Sequence, residues 1–168
     1  NWASAYPKRV FACATVAAAA RQSAQNIAFA ELGRQAIMAD PEWRGGAYQA
    51  AKPTKGLAVA RLAAGIANRS DASLRQTYAE ARSFAFDAEA RATLTAPGDR
   101  FDANSFLYLT RAMDQFDLAA DFGGNLANAF AGAATRHGVF AFTSDWRYPP
   151  AANQAIVRAL IAAGADAS

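Results

Sequence analysis

Two short apolar runs of strand type stand near the two ends of this chain, and nearly everything between them has helical spacing. One is Arg9-Val10-Phe11-Ala12-Cys13-Ala14-Thr15-Val16; the other is Val139-Phe140-Ala141-Phe142. Continuous apolar runs of this length are the pattern of strands buried in a parallel sheet. The second run ends in a polar turn carrying Asp145, and Pro149-Pro150 forbids further ladder pairing. A helical pattern follows from about Ala152 to Ala163. Asn1–Tyr6 reads as the end of a helix: Trp2 and Tyr6 share a face four residues apart, and Pro7 stops the pattern. The order is that of an alternating α/β sheet, as if taken from its middle, with the two runs as parallel neighbours.

The intervening stretch predicts a helical insertion. Ser23 can cap a helix reaching about Ala39, with Ile27, Glu31, Leu32, Gln35 and Ala36 along one face. Asp40-Pro41-Glu42-Trp43-Arg44-Gly45-Gly46 reads as a loop. A second helix is expected from Gly56 to about Asn68, and a third from Ser70 or Asp71 to about Arg82. Asp102 to Ser105 opens a strong helix with Phe106, Leu109, Met113 and Phe116 at three- and four-residue steps, and a short one is expected over Leu126–Ala131. The expected organisation is therefore residues 1–22 and 135–168 as parts of an α/β core, with 23–134 as a helical lid. An insertion so placed can cover the strand ends where ligands bind. A purely structural or oligomerising excursion is the alternative.

Composition excludes several classes. The 168 residues suit one domain, and no apolar run approaches a membrane span. The net charge of +3 comes from scattered basic residues with no aromatic-interleaved stripe, which argues against nucleic acid as a partner. The single cysteine, Cys13, rules out an internal disulfide, fits a reducing, cytoplasmic setting, and reads as core filler in its apolar run. No Gly-x-Ser-x-Gly elbow, Gly-x-Gly-x-x-Gly or phosphate loop occurs. One histidine, His137, cannot make a clustered metal site, so no metal is expected. Placed just before the Val139 run, it reads as a surface or strand-entry residue, at the opposite end of the strand from Asp145. Asp145 itself sits where open parallel sheets bind ligands, beyond a strand's carboxyl end. Its bland reading is a residue that ends the strand or caps the next helix.

Three segments carry a resemblance. The first runs from Ala20-Arg21-Gln22-Ser23-Ala24-Gln25-Asn26-Ile27-Ala28-Phe29 through Leu32-Gly33-Arg34-Gln35 to Trp43-Arg44-Gly45-Gly46. The second is Gly56-Leu57-Ala58-Val59-Ala60-Arg61. The third is Arg100-Phe101-Asp102-Ala103-Asn104-Ser105-Phe106-Leu107-Tyr108-Leu109-Thr110-Arg111-Ala112-Met113-Asp114, with Ser144-Asp145-Trp146 beyond it. In order and spacing they resemble the homoserine O-acetyltransferase family over essentially the whole chain. The resemblance implies a partial α/β-hydrolase fold with a helical lid. It implies acetyl transfer from acetyl-CoA, a co-substrate rather than a cofactor, to the homoserine hydroxyl in methionine biosynthesis, and a homodimer formed through the lid. It implies a Ser-His-Asp triad with Asp145 as its acid, and Arg61 as the arginine that binds the homoserine carboxylate. Arg61 has the competing reading of a solvated lid residue. The family's serine and histidine match nothing here, so the sequence looks like an internal segment that would be inactive alone. Gly65 and Asn68 stand where the family usually has a histidine and a tyrosine, and Phe86 to Gly98 matches poorly and looks shortened. Succinyl-CoA as donor, a related acyltransferase or esterase, and a non-catalytic dimerising module are the alternatives.

Overall fold

The computed structural model describes residues 2–49, 52–78 and 102–166. Its elements in chain order are α1 (Trp2–Ala5), β1 (Ala12–Val16), α2 (Ala24–Met38), a 3-10 segment (Pro41–Gly46), α3 (Thr54–Ala67) and α4 (Asp71–Tyr78). Then come α5 (Ala103–Asp114), two 3-10 segments (Ala120–Phe122 and Leu126–Phe130), β2 (Arg136–Phe140) and α6 (Pro150–Ala162). The poorly matching stretch 86–98, and any extension of α4 to Arg82, lie outside the described residues. The chain divides into two compact units, Asn1–Gln22 with Gln115–Ser168, and Ser23–Asp114.

In the first unit β1 and β2 pair in parallel, Cys13 opposite His137 and Thr15 opposite Val139. The expectation of parallel neighbours holds, but β2 begins three residues earlier than the apolar run and ends at Phe140. His137 is therefore inside the strand and 4% exposed, not a surface residue. Strand alternation explains the burial. Cys13, Thr15, His137 and Val139 share the face that is partly or fully covered, whereas Ala12, Ala14, Val16 and Phe140 lie on a face that is exposed at each. Burial on both faces, expected from the apolar runs, is thus seen on one face only among the described residues. A core of Leu118, Phe130, Ile156, Ala159 and Leu160 joins α6 to the 3-10 segment before β2, and residues 115–134 pack with this unit.

The second unit is built on α2 crossing α3, with α5 against α2. Ser23 caps α2 as expected, its hydroxyl accepting the Asn26 N–H at 3.1 Å. The buried residues of α2 are Asn26, Gly33, Arg34 and Ile37, not the expected face; Leu32 is 55% exposed. Small residues make the crossing: a Cβ on Gly33 would sit 3.0 Å from the Phe106 ring and 3.2 Å from the Ala60 Cβ. Arg34 is buried because its charge is matched, by Glu31 at 2.7 Å and Asp114 at 2.6 Å. On α5, Ala103 and Leu107 are buried with Phe106 beside them, while Leu109 and Met113 face outward, against the expected stripe. Asp40 ties the loop after α2 to α3: its carboxylate accepts the Glu42 N–H at 3.0 Å and the Gly56 N–H at 2.8 Å. Trp43 and Tyr48 extend this core, Trp43 donating to Asn104 at 3.1 Å and Tyr48 bonding to Asp102.

Candidate active site

The turn after β2 is organised by Asp145. The side chain is half-buried, and its Oδ1 accepts the N–H groups of Arg147 at 2.9 Å and Tyr148 at 2.8 Å. Its own N–H donates to the Phe142 carbonyl at 3.1 Å. Asp145 is therefore a turn-former as well as a candidate for chemistry, though not the cap of α6, whose capping position is Pro149. The turn consumes one carboxylate oxygen. Among the described residues Oδ2 accepts no hydrogen bond, so it can receive one from a neighbouring ring N–H. The position beyond the carboxyl end of a parallel strand is where open α/β sheets place their reactive groups.

His137 cannot complete that arrangement from its place in β2. It lies three residues before the strand's end, about 10 Å at a strand's rise per residue, with Asp145 further on. Its Nε2 is buried without a hydrogen-bond partner, and its ring meets Phe130 edge-on at 5.6 Å. Burial lowers its pKa from the ordinary value, since the apolar surroundings disfavour the cation. With Ser4, Cys13, Thr15 and Phe130 it lines a cavity of about 220 Å³.

Arg61 stands in α3, in the other compact unit, half-buried beside buried Ala60 and Leu62. Burial lowers the guanidinium pKa from its usual value, and an arginine still keeps its charge at any ordinary pH. Gly65 is exposed on the same helix one turn on, and Asn68 follows its last residue. Among the described residues no three His, Cys, Asp or Glu side chains are placed to hold a metal ion. No helix among them is long and apolar enough to cross a membrane. One polar residue that the sequence did not single out, Asn153, is 2% exposed and bonds to the same turn as Asp145.

No family model matches the sequence. Over its whole length the chain is 53% identical to the homoserine O-acetyltransferase of Mesorhizobium japonicum and 52% identical to that of Caulobacter vibrioides, covering 47% and 48% of those proteins. It thus spans about half the length of the curated relatives it matches. The aligned span is 182 residues against 168 here, so the relatives carry residues within it that this chain lacks. Among solved structures, homoserine O-acetyltransferase from Bacillus anthracis superposes with a TM-score of 0.86 at 23% identity, over 99% of this chain and 48% of that one. Esterase E22 superposes with a TM-score of 0.82 at 25% identity, over 99% of this chain and 49% of its own. These neighbours share the α/β-hydrolase fold, of which the parallel pair and its helices are a part. By sequence along its full length, the chain belongs to the homoserine O-acetyltransferase family, of whose matched members it spans about half.

Proposed function

We propose that the protein carrying this chain transfers an acetyl group from acetyl-CoA to the hydroxyl of homoserine, a step of methionine biosynthesis. The observation that carries the reading is identity of about one residue in two, along the whole chain, to homoserine O-acetyltransferases. The chemistry is acyl transfer through a serine ester. A serine attacks the thioester carbonyl, CoA leaves as its thiol, and the homoserine oxygen then takes the acetyl group, with a histidine passing the protons. Asp145 is the acid of that triad. Its free oxygen holds the histidine N–H in the productive tautomer and stabilises the imidazolium formed in each half-reaction. The serine and histidine come from residues outside these 168. Arg61 pairs with the homoserine carboxylate, for which a planar two-pronged guanidinium is suited. The second unit serves as the family's helical lid and as the contact between two subunits, and the setting is the cytoplasm.

A second reading, ester hydrolysis, is favoured by one observation: esterase E22 stands beside the acetyltransferase among the structural neighbours. The test is release of CoA thiol from acetyl-CoA by the full-length protein, with and without homoserine, and with succinyl-CoA as an alternative donor. Homoserine-dependent release from acetyl-CoA is expected. Asp145→Asn should lower it about ten-thousandfold, the usual effect of turning a triad acid into its amide. Acetyl ester hydrolysis with no response to homoserine would replace the reading.

A further inference from the structure

Asn153 lies in the first turn of α6, where a polar side chain would ordinarily face solvent, yet it is among the most completely buried side chains of the molecule. Its amide joins two strand-end loops. Nδ2 donates to the carbonyls of Tyr148 at 3.2 Å and Pro149 at 3.3 Å, and Oδ1 accepts the Ala18 N–H at 3.4 Å. Ala18 follows directly on Ala17, which takes a left-handed backbone, φ 45°, rare for a residue with a Cβ, and donates to the Phe140 carbonyl at 2.9 Å. The first turn of a helix lacks acceptors for its free N–H groups, so a side chain serving only the helix would accept there. Asn153 instead donates back into the turn. The N–H of Tyr148, whose carbonyl it holds, is one of the two that grip Asp145 Oδ1, at 2.8 Å.

We propose that Asn153 is a positioning residue for the Asp145 carboxylate, acting through the backbone of the Tyr148–Pro149 segment that it ties to the loop after β1. The inference rests on the reading of Asp145 as a triad acid. Losing the tie lets the turn shift, and a displacement of about 1 Å at a catalytic group costs on the order of a hundredfold in rate.

The test uses the full-length protein with Asn153→Asp and Asn153→Ala, each alone and combined with Asp145→Asn. Asn153→Asp keeps the shape and the Ala18 bond but loses the donor to Tyr148 and Pro149. The readouts are the rate at which a fluorophosphonate labels the nucleophilic serine, homoserine-dependent acetyl-CoA consumption, and thermal melting. In the Asp145 background each Asn153 variant should lose roughly a hundredfold in labelling and in kcat, with homoserine KM little changed. In the Asp145→Asn background the same variant should cost nothing further, because residues acting as one unit are not additive. Equal losses in both backgrounds, no loss in either, or unfolding of both single variants would overturn the proposal. Wild-type protein that labels but does not acetylate homoserine would sink the acetyltransferase reading and leave the Asn153 experiment decisive. Wild-type protein that does not label would remove the triad, and this inference with it.

Discussion

At the scale of single residues, the chain separates groups that were visible in sequence from groups that burial alone reveals. Asp145 and Arg61 drew notice in the sequence because each stands in a segment with a family resemblance, Asp145 after a strand run and Arg61 in a helical pattern. Arg61 carries the more direct prediction. A charged hydrogen bond to a carboxylate contributes about 1.5–3 kcal/mol. Arg61→Ala should therefore raise the KM for homoserine roughly ten- to a hundredfold and leave half-saturation by acetyl-CoA nearly unchanged. Steady-state kinetics varying each substrate decide it: equal effects on both, or none, would make Arg61 a structural residue of α3. His137 was misplaced from sequence because a titratable side chain preceded by arginine and followed by glycine does not look like strand interior. Its buried, unpartnered Nε2 has a consequence for stability. Burial holds its folded pKa below the ordinary value of about 6.5, so the unfolded chain takes up the proton first as the pH falls. Its contribution is whole above about pH 6.5 and is lost progressively as the pH drops from there to the lowered folded value. The melting temperature should fall as the pH drops below about 6.5, and His137→Leu should flatten that fall. An unchanged slope in the variant would locate the acid sensitivity elsewhere.

At the scale of elements, Gly56 marks the tightest crossing. A Cβ built there would lie 2.7 Å from the Cα of Ile37 and closer still to the carbonyl oxygen of Ala36, both backbone atoms that no rotamer change can move. Gly56→Ala should force α2 and α3 apart and cost about 1–3 kcal/mol, the usual range for overpacking, despite alanine's better helix propensity. Denaturant melts of the two proteins read this directly, and an alanine variant as stable as the parent would mean that the crossing yields. Gly65 on the same helix has open space around it, so Gly65→Ala is the control that should lose nothing. The crossing explains what the sequence showed and what it hid. Helices, their order and two of their caps were readable, because Ser23 and Ser70 act locally, their hydroxyls accepting the N–H groups of Asn26 and Ser73; the expected loop 40–46 is a 3-10 segment. The faces of α2 and α5 were not. Periodicity weighs large apolar residues, whereas this unit packs through Gly33, Gly56, Ala60 and Ala103 and buries Arg34 against acidic partners. Leu109 and Met113, which drew the expected stripe on α5, lie outward. Asn153 was hidden for a related reason, since a polar residue in an amphipathic helix reads as solvent-facing until its partners are known. The start of β2 was hidden because pairing with Ala12–Ala14, and not side-chain pattern, extends the ladder to Arg136.

At the scale of the whole chain, the arrangement is unbalanced in a way that bears on what these 168 residues do alone. Among the described residues the sheet has two strands; the outer edge of β2 is met only at His137, whose N–H donates to the Asp166 carbonyl at 2.8 Å, and one face presents Ala12, Ala14, Val16 and Phe140 to solvent. Phe11, at 77% exposure, and Phe142, at 55%, continue apolar surface past the strand ends. Edges with free N–H and C=O groups beside exposed aromatics are templates for pairing with other chains. No compensating charge stands on the strands' open face apart from Arg136, whose guanidinium lies over the Phe11 ring at 5.3 Å. Residues 1–168, expressed alone, should therefore associate, eluting as a broad high-mass distribution and binding a hydrophobic dye, while circular dichroism still shows helix from the second unit. They should also be inert toward acetyl-CoA and homoserine. If Asp145 is a triad acid, as proposed, the reason is chemical: the sequence holds no serine in a glycine-framed elbow for it to serve, and His137 is locked in β2 beyond its reach. A triad lacking its nucleophile or its base loses almost all of its rate, whatever the acid does. Association and inertness are independent claims. A sharp monomeric peak with cooperative melting would show that the open sheet face is tolerated in water, and homoserine-dependent acetyl-CoA consumption, from preparations free of host enzyme, would show a nucleophile within the chain that neither its sequence nor its fold displays.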